Sequence, residues 1–153
     1  MNNYKALKQL IIQQLLSVIQ DKIDLATTAI ESATDSRNCD TKSSAGDKYE
    51  TAREMIQIEI EKHKIQLANA QKLKGDLLRI DETISPIRAL LGSLIITETE
   101  LYFLSIGIGK IIVNNQNVFA ISIDSPIGKC FYNKQIGENI IFQNKRLVIK
   151  ELV

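Results

Sequence analysis

Apolar residues in the first half of this chain recur at steps of three and four. Ile12, Leu16, Ile19, Ile23, Ala26, Ile30 and Ala33 form one such series. An α-helix turns once every 3.6 residues, so this spacing keeps all of them on one stripe facing a partner. It predicts a long helix over roughly residues 4 to 34. A second series, Ala52, Ile56, Ile60, His63, Leu67, Ala70 and Leu77, predicts a returning helix over roughly residues 47 to 80. One irregular step between Ile56 and His63 loosens its heptad register. Residues 34 to 46 between the two are rich in Ser, Thr, Asp and Asn, whose side chains compete with a helix for backbone hydrogen bonds. That stretch reads as the bend of an antiparallel hairpin.

Two helices of about thirty residues make a rod on the order of 45 Å long, and each can bury only one stripe. The hairpin is therefore expected to protrude. Its seam residues shrink toward the bend, at Ala26, Ala33 and Ala52, which predicts a narrow tip suited to insertion into a channel. Periodicity alone favours an ordinary antiparallel coiled coil that binds any partner. His63, the single histidine, falls on the seam with no second ligand at metal spacing and reads as a packing residue.

The chain changes character near Ser85-Pro86. Ala, Gln, Glu and Lys give way to Gly, Ile, Val, Asn and short alternating runs, which places a domain boundary between residues 84 and 85. Strands are predicted at Leu94 to Thr97, Leu101 to Ile106, Lys110 to Val113, Val118 to Ile123, Asn139 to Phe142 and Arg146 to Leu152. The polar connections Asn114-Asn115-Gln116-Asn117 and Gln143-Asn144-Lys145 suit hairpin turns. Ser125 as a cap and Pro126 at the first helical position start a short helix, which Asn133 can end in the left-handed conformation. The expected class is α+β: a helical hairpin over residues 1–84, then a small antiparallel sheet crossed by one helix over 85–153.

Nineteen basic and eighteen acidic residues leave a net charge of +1, so no global field draws the protein onto nucleic acid. Charge-based function must be local. Cys39 and Cys130 match neither a disulfide framework nor a CxxC metal site, which points to a reducing compartment. The apolar run Leu10-Ile11-Ile12 is cut by Gln13-Gln14, and neither a signal peptide nor a membrane span is read. A cytoplasmic monomer is the expectation.

The chemistry concentrates at Asp47 and Glu50, three residues apart at the start of the second helix. Their carboxylates can share one Mg²⁺, though magnesium wants six oxygens and so needs further ligands from a partner. Asp-x-x-Glu at a helix start is also close to a capping box, and its charge complements the helix dipole. Spacing alone leaves both readings open.

The stretch Gly46-Asp47-Lys48-Tyr49-Glu50-Thr51-Ala52 resembles the Gly-Asp-x-x-Glu-Asn-Ala tip motif of the Gre family of transcript-cleavage and elongation factors. Ser125-Pro126-Ile127-Gly128 and Asn133-Lys134-Gln135-Ile136-Gly137-Glu138 are similar to that family's Ser-Pro-Ile-Ala and Gly-Lys-x-x-Gly-Asp elements. The match spans nearly the whole chain. The resemblance implies an FKBP-like C-terminal domain that docks on RNA polymerase, with Ser125, Pro126 and Ile127 at the docking surface. It further implies a hairpin inserted into the secondary channel. There Asp47 and Glu50 would help the polymerase's active centre hold Mg²⁺ and cut the 3′ end of backtracked nascent RNA. The chain would be an accessory factor, not an enzyme. Arg37, Lys42, Lys48 and Arg53 surround the acids and are candidate contacts to RNA or polymerase.

Thr51 stands where the motif has Asn, and Arg53-Glu54 where the family shows Glu-Tyr. Two alternatives therefore accompany the cleavage factor. One is a secondary-channel regulator without cleavage activity. The other is an FKBP-like interaction module or prolyl isomerase, against which stand the absence of Trp and the few aromatics of the C-terminal half.

Overall fold

A computed structural model describes residues 3–39 and 46–153. Helices α1 (Tyr4–Cys39) and α2 (Gly46–Leu78) come first. Strands β1 (Leu94–Thr97), β2 (Leu101–Ser105), β3 (Gly109–Val113) and β4 (Gln116–Ser122) follow, then helix α3 (Pro126–Phe131) and strands β5 (Asn139–Phe142) and β6 (Lys145–Leu152). The fold is α+β. Packing separates a hairpin unit, Ser17–Lys74, from a sheet unit that joins Met1–Leu16 to Gly75–Val153. Helix gives way to strand near residue 85, whereas the lines of packing fall within the two long helices.

In the hairpin unit the apolar seam lies where its spacing puts it. Ile19, Ala26, Ile60 and Ala70 are buried, and Ile23, Ile30, Ala33, Ile56, His63 and Leu67 are half-buried. Two hydrogen bonds across the seam fix the register. Lys74 Nζ donates to Gln20 Oε1 at 2.8 Å, and Arg37 Nη1 donates to Gln57 Oε1 at 2.7 Å. Seventeen residues separate Gln20 from Arg37 on α1, and the same seventeen separate Gln57 from Lys74 on α2. The helices are thus antiparallel with one register at both ends. Small residues at Ala26, Ala29 and Ala70 leave a cavity of about 470 Å³ beside the half-buried His63. His63 Nδ1 lies 3.0 Å from Gln66 Oε1, and Nε2 lies 3.6 Å from Glu59 Oε1.

Two expectations need correction. Residues 34–39 are helical, not part of a bend, because Thr34 and Arg37 continue the half-buried stripe of Ile30 and Ala33 toward α2. Tertiary contact there overrides the low helix propensity of Asp35, Ser36 and Asn38. Ala52, placed on the seam by its spacing, is exposed. The register sets it level with residue 42, which lies outside the described residues.

The sheet runs β3-β4-β2-β1-β6-β5. Four of its neighbour pairs are antiparallel, as expected, but β2 and β4 are parallel, with Leu101 opposite Val118 and Ser105 opposite Ser122. The chain leaves β2 through Ile106-Gly107-Ile108 and forms β3 at the sheet's edge, and the β3–β4 hairpin then returns β4 against β2. Both hairpin turns are two residues long with left-handed backbone, Asn114 (φ 49°) and Asn115 (φ 61°), then Gln143 (φ 49°) and Asn144 (φ 62°). That is the type I′ geometry that matches strand twist.

Ser125 caps α3 with its hydroxyl, which accepts the Gly128 N–H at 3.0 Å and donates to the Ser122 carbonyl at 2.6 Å. Asn133 at φ 67° follows the helix. Phe131 of α3 is buried among Ile95, Tyr102, Leu104, Ile140 and Ile149 on one face of the sheet. The other face is buried too, at Leu94, Phe103, Val118 and Ala120. In the same unit Leu7, Ile11 and Leu15 of α1 and Leu77 of α2 are buried as well.

Lys8 is 2% exposed within that unit. Its ammonium donates to the carbonyls of Ile84 at 3.3 Å and Val153 at 3.2 Å. Burial lowers its pKa from 10.5, opposed by the nearby charges of Asp81 and Glu82. Because the unfolded chain holds that proton more tightly, unfolding takes up protons below 10.5, and this group's contribution makes stability rise as pH climbs toward that value. Urea unfolding between about pH 8 and pH 10 should show the parent protein gaining stability relative to Lys8→Met, which keeps the packed stem without the charge. Lys8→Ala should cost about 2–4 kcal/mol at neutral pH by removing the stem as well. Gly128→Ala should lower the urea midpoint by the equivalent of about 3 kcal/mol, since its Cβ would lie 1.9 Å from the Ser122 carbonyl oxygen.

Candidate functional site at the hairpin tip

The register of the two helices determines what the tip presents. Arg37 is level with Gln57. The motif residues Gly46 to Glu50 lie about two to three helical turns before Gln57 on α2. Asp47 is helical, within α2 as described from Gly46. The Asp47 side chain and the whole of Lys42 lie outside the described residues.

Glu50, Arg53 and Glu54 are exposed, and with Arg37 and Gln57 they line a cavity of about 330 Å³. Glu50 and Glu54 are one helical turn apart and so share a face of α2. Arg37 reaches them from α1. Its guanidinium is held by Gln57, whose amide nitrogen in turn donates to Glu61 Oε1 at 3.0 Å. This orients the Gln57 oxygen toward Arg37 and fixes the cation at the cavity's edge. Lys48 is exposed nearby in sequence. The site thus gathers Glu50, Arg53 and Arg37 from among the sequence candidates, and adds Glu54 and Gln57. Glu54 could have been found from its four-residue step from Glu50. Gln57 had no such signal, because its role depends on the cross-helix register.

Carboxylate oxygens suit a hard cation such as Mg²⁺, and Glu50 with Asp47 has the right donor chemistry. Among the described residues no three His, Cys, Asp or Glu side chains converge as a metal site. A cation held here would take its remaining ligands from elsewhere.

The sheet unit holds the other candidates. The Ser125 hydroxyl is engaged in capping α3, Ile127 packs half-buried against the core, and Pro126 is exposed. Tyr102 stacks on Phe119 with ring centroids 5.5 Å apart and lies 4.9 Å from Phe131. Its hydroxyl donates to Glu100, whose carboxylate also pairs with Lys145 at 3.1 Å. Burial, then that hydrogen bond to Glu100, raises the Tyr102 pKa far above its ordinary value. These aromatics serve the core. Cys39 and Cys130 are both free thiols. No helix among the described residues is long and apolar enough to cross a membrane.

If Arg37 sets the register, Arg37→Ala and Gln57→Ala should each destabilise the hairpin, with a coupling of about 0.5–1.5 kcal/mol in a double-mutant cycle followed by helix circular dichroism. Additive effects would mean the bond contributes nothing to the register.

No protein-family model matches the chain, and no curated protein matches it. Among solved structures the chain is similar to one described as the transcription factor Gfh1. The match covers 90% of this chain and 92% of that one, at 14% sequence identity and a TM-score of 0.38.

Proposed function

We propose that this chain is a Gre-like transcription factor that binds RNA polymerase, places its hairpin tip in the secondary channel and assists cleavage of backtracked RNA. The observation that supports this reading is the cavity near the start of α2, where Glu50 of the Gly46-Asp47-x-x-Glu50 stretch lies with Arg53, Glu54 and Gln57 beside Arg37 of α1. Asp47 and Glu50 offer carboxylate oxygens on the first turns described for α2. They would there help hold a second Mg²⁺ beside the polymerase's own, two ions being what supplies water activation and leaving-oxygen stabilisation in two-metal phosphodiester hydrolysis. Lys48 and Arg53 lie along the same stretch of α2 and Arg37 faces it from α1, where they can neutralise RNA phosphates. The sheet unit supplies the docking surface, with Pro126 its outward residue and Ser125 and Ile127 shaping the turn beneath it.

A second reading has its own observation. Arg37 and Arg53 share the cavity of Glu50 and Glu54, so two guanidinium groups compete with a cation for the same carboxylates. On that reading the protein occupies the channel and regulates the polymerase without promoting cleavage.

One experiment separates the two. Cleavage by a stalled, backtracked elongation complex is measured across Mg²⁺ concentrations with the parent protein, Asp47→Asn and Glu50→Gln. The cleavage reading expects the variants to lose stimulation or to need on the order of 10- to 100-fold more Mg²⁺, with polymerase binding retained. Equal activity of parent and variants would overturn it. The regulator reading expects no stimulation from any of the three, together with competition against a cleavage-active factor.

A further inference from the structure

The segment that joins α2 to β1 carries an exposed apolar surface that neither the hairpin nor the core uses. Ala89 is fully buried in the core and anchors this segment. On either side of it the chain is tied to the segment after α3. Ala89 N donates to Lys134 O at 2.8 Å, Asn133 N donates to Ala89 O at 2.7 Å, and Arg88 forms a β-bridge with Gln135. These bonds bring Ile87, 82% exposed, beside Ile136, 58% exposed, with Leu90 and Tyr132 also exposed close by. The surface is rigid on its far side as well, where Leu90 N donates to Ser93 Oγ at 2.9 Å and Gly92 N to Leu104 O at 2.6 Å. Four large apolar side chains held outward by a fixed backbone cannot relax into the core. Patches of this kind on a folded surface mark interaction sites.

The rim decides what fits. Arg88, Lys129 and Lys134 border the patch: Arg88 and Lys134 lie on its two bridged segments, and Lys129 stands one helical turn before Tyr132. Arg88 Nη1 donates to the Asn133 carbonyl at 3.2 Å. The one acid among them, Glu138, is engaged with the Gln135 N–H at 2.6 Å and with Lys134 at 3.8 Å. A second copy of this face would bring like charges together. Nucleic acid would satisfy the cations but leave the apolar centre facing water. We infer that the Ile87–Ile136 surface binds an acidic peptide segment of a partner protein, one whose apolar side chains are flanked by Asp or Glu. This site is separate from the hairpin tip, and its test does not involve the polymerase.

Two synthetic amphipathic peptides, identical in their Leu and Ile positions and flanked by Glu in one and Lys in the other, are titrated with the full chain and followed by fluorescence anisotropy. The Glu-flanked peptide should bind at least about tenfold more tightly, and added salt should narrow the difference. Ile87→Ser with Ile136→Ser should weaken its binding about tenfold or more while leaving circular dichroism unchanged, since both side chains are exposed. Equal affinity for the two peptides, no binding by either, or binding indifferent to the double substitution would overturn the inference. So would self-association in sedimentation that Ile136→Ser abolishes, which would make the occupant a second copy.

Discussion

The hairpin depends on which residues of its two helices stand level, and apolar packing alone specifies that weakly. Ala26, Ala33 and Ala70 are small and nearly featureless, so several registers would bury them about equally well. The hydrogen bonds from Lys74 to Gln20 and from Arg37 to Gln57 choose among them. A slip of one turn moves one helix about 5.4 Å along the other, beyond the reach of both bonds at once. Polar residues on a helix pair commonly set register at little gain in stability. Here that choice also decides which residues of α2 stand beside Arg37, and hence what the cavity of Glu50 and Glu54 presents.

Much of this was legible in the sequence because its cause is local. Three- and four-residue steps put Ile19, Ile23, Ala26 and Ile60 on one stripe whatever the partner, and Asn114-Asn115 needs only its own backbone preference to turn. What failed involves residues distant in sequence. Nothing near Asp35 or Asn38 records that α2 will lie alongside and hold them helical. At the site, Glu50 and Arg53 stood out by motif and charge. Gln57 became meaningful only when Arg37 was found across from it.

The sheet shows the same division. Strand alternation marks which residues pair in a ladder but not the order of the ladders, so β4 could not be placed beside β2 from its own sequence. The parallel pair follows from the β3–β4 hairpin folding back as a unit. Lys8 is a sharper case. Read alone, a lysine on a helix faces water. Here it is buried because two carbonyls, of Ile84 and Val153, await its ammonium from segments more than seventy residues away. A buried ammonium with fewer than three acceptors offsets only part of its desolvation, which is the physical cause of its lowered pKa.

The electrostatics of the tip bear on why such a motif would act only with a partner. Arg37 and Arg53 bring two positive charges to the cavity of Glu50 and Glu54. Those charges oppose a divalent cation, so the acids alone make a poor metal site. The balance changes when the cation arrives already bound to phosphate or to other carboxylates. Part of its charge is then neutralised, and guanidinium groups suit the phosphate while the acids suit the metal. A segment carrying both signs within two turns is matched to a metal–phosphate pair better than to either ion alone. On the proposed reading this explains why the acids need no further ligands from their own chain.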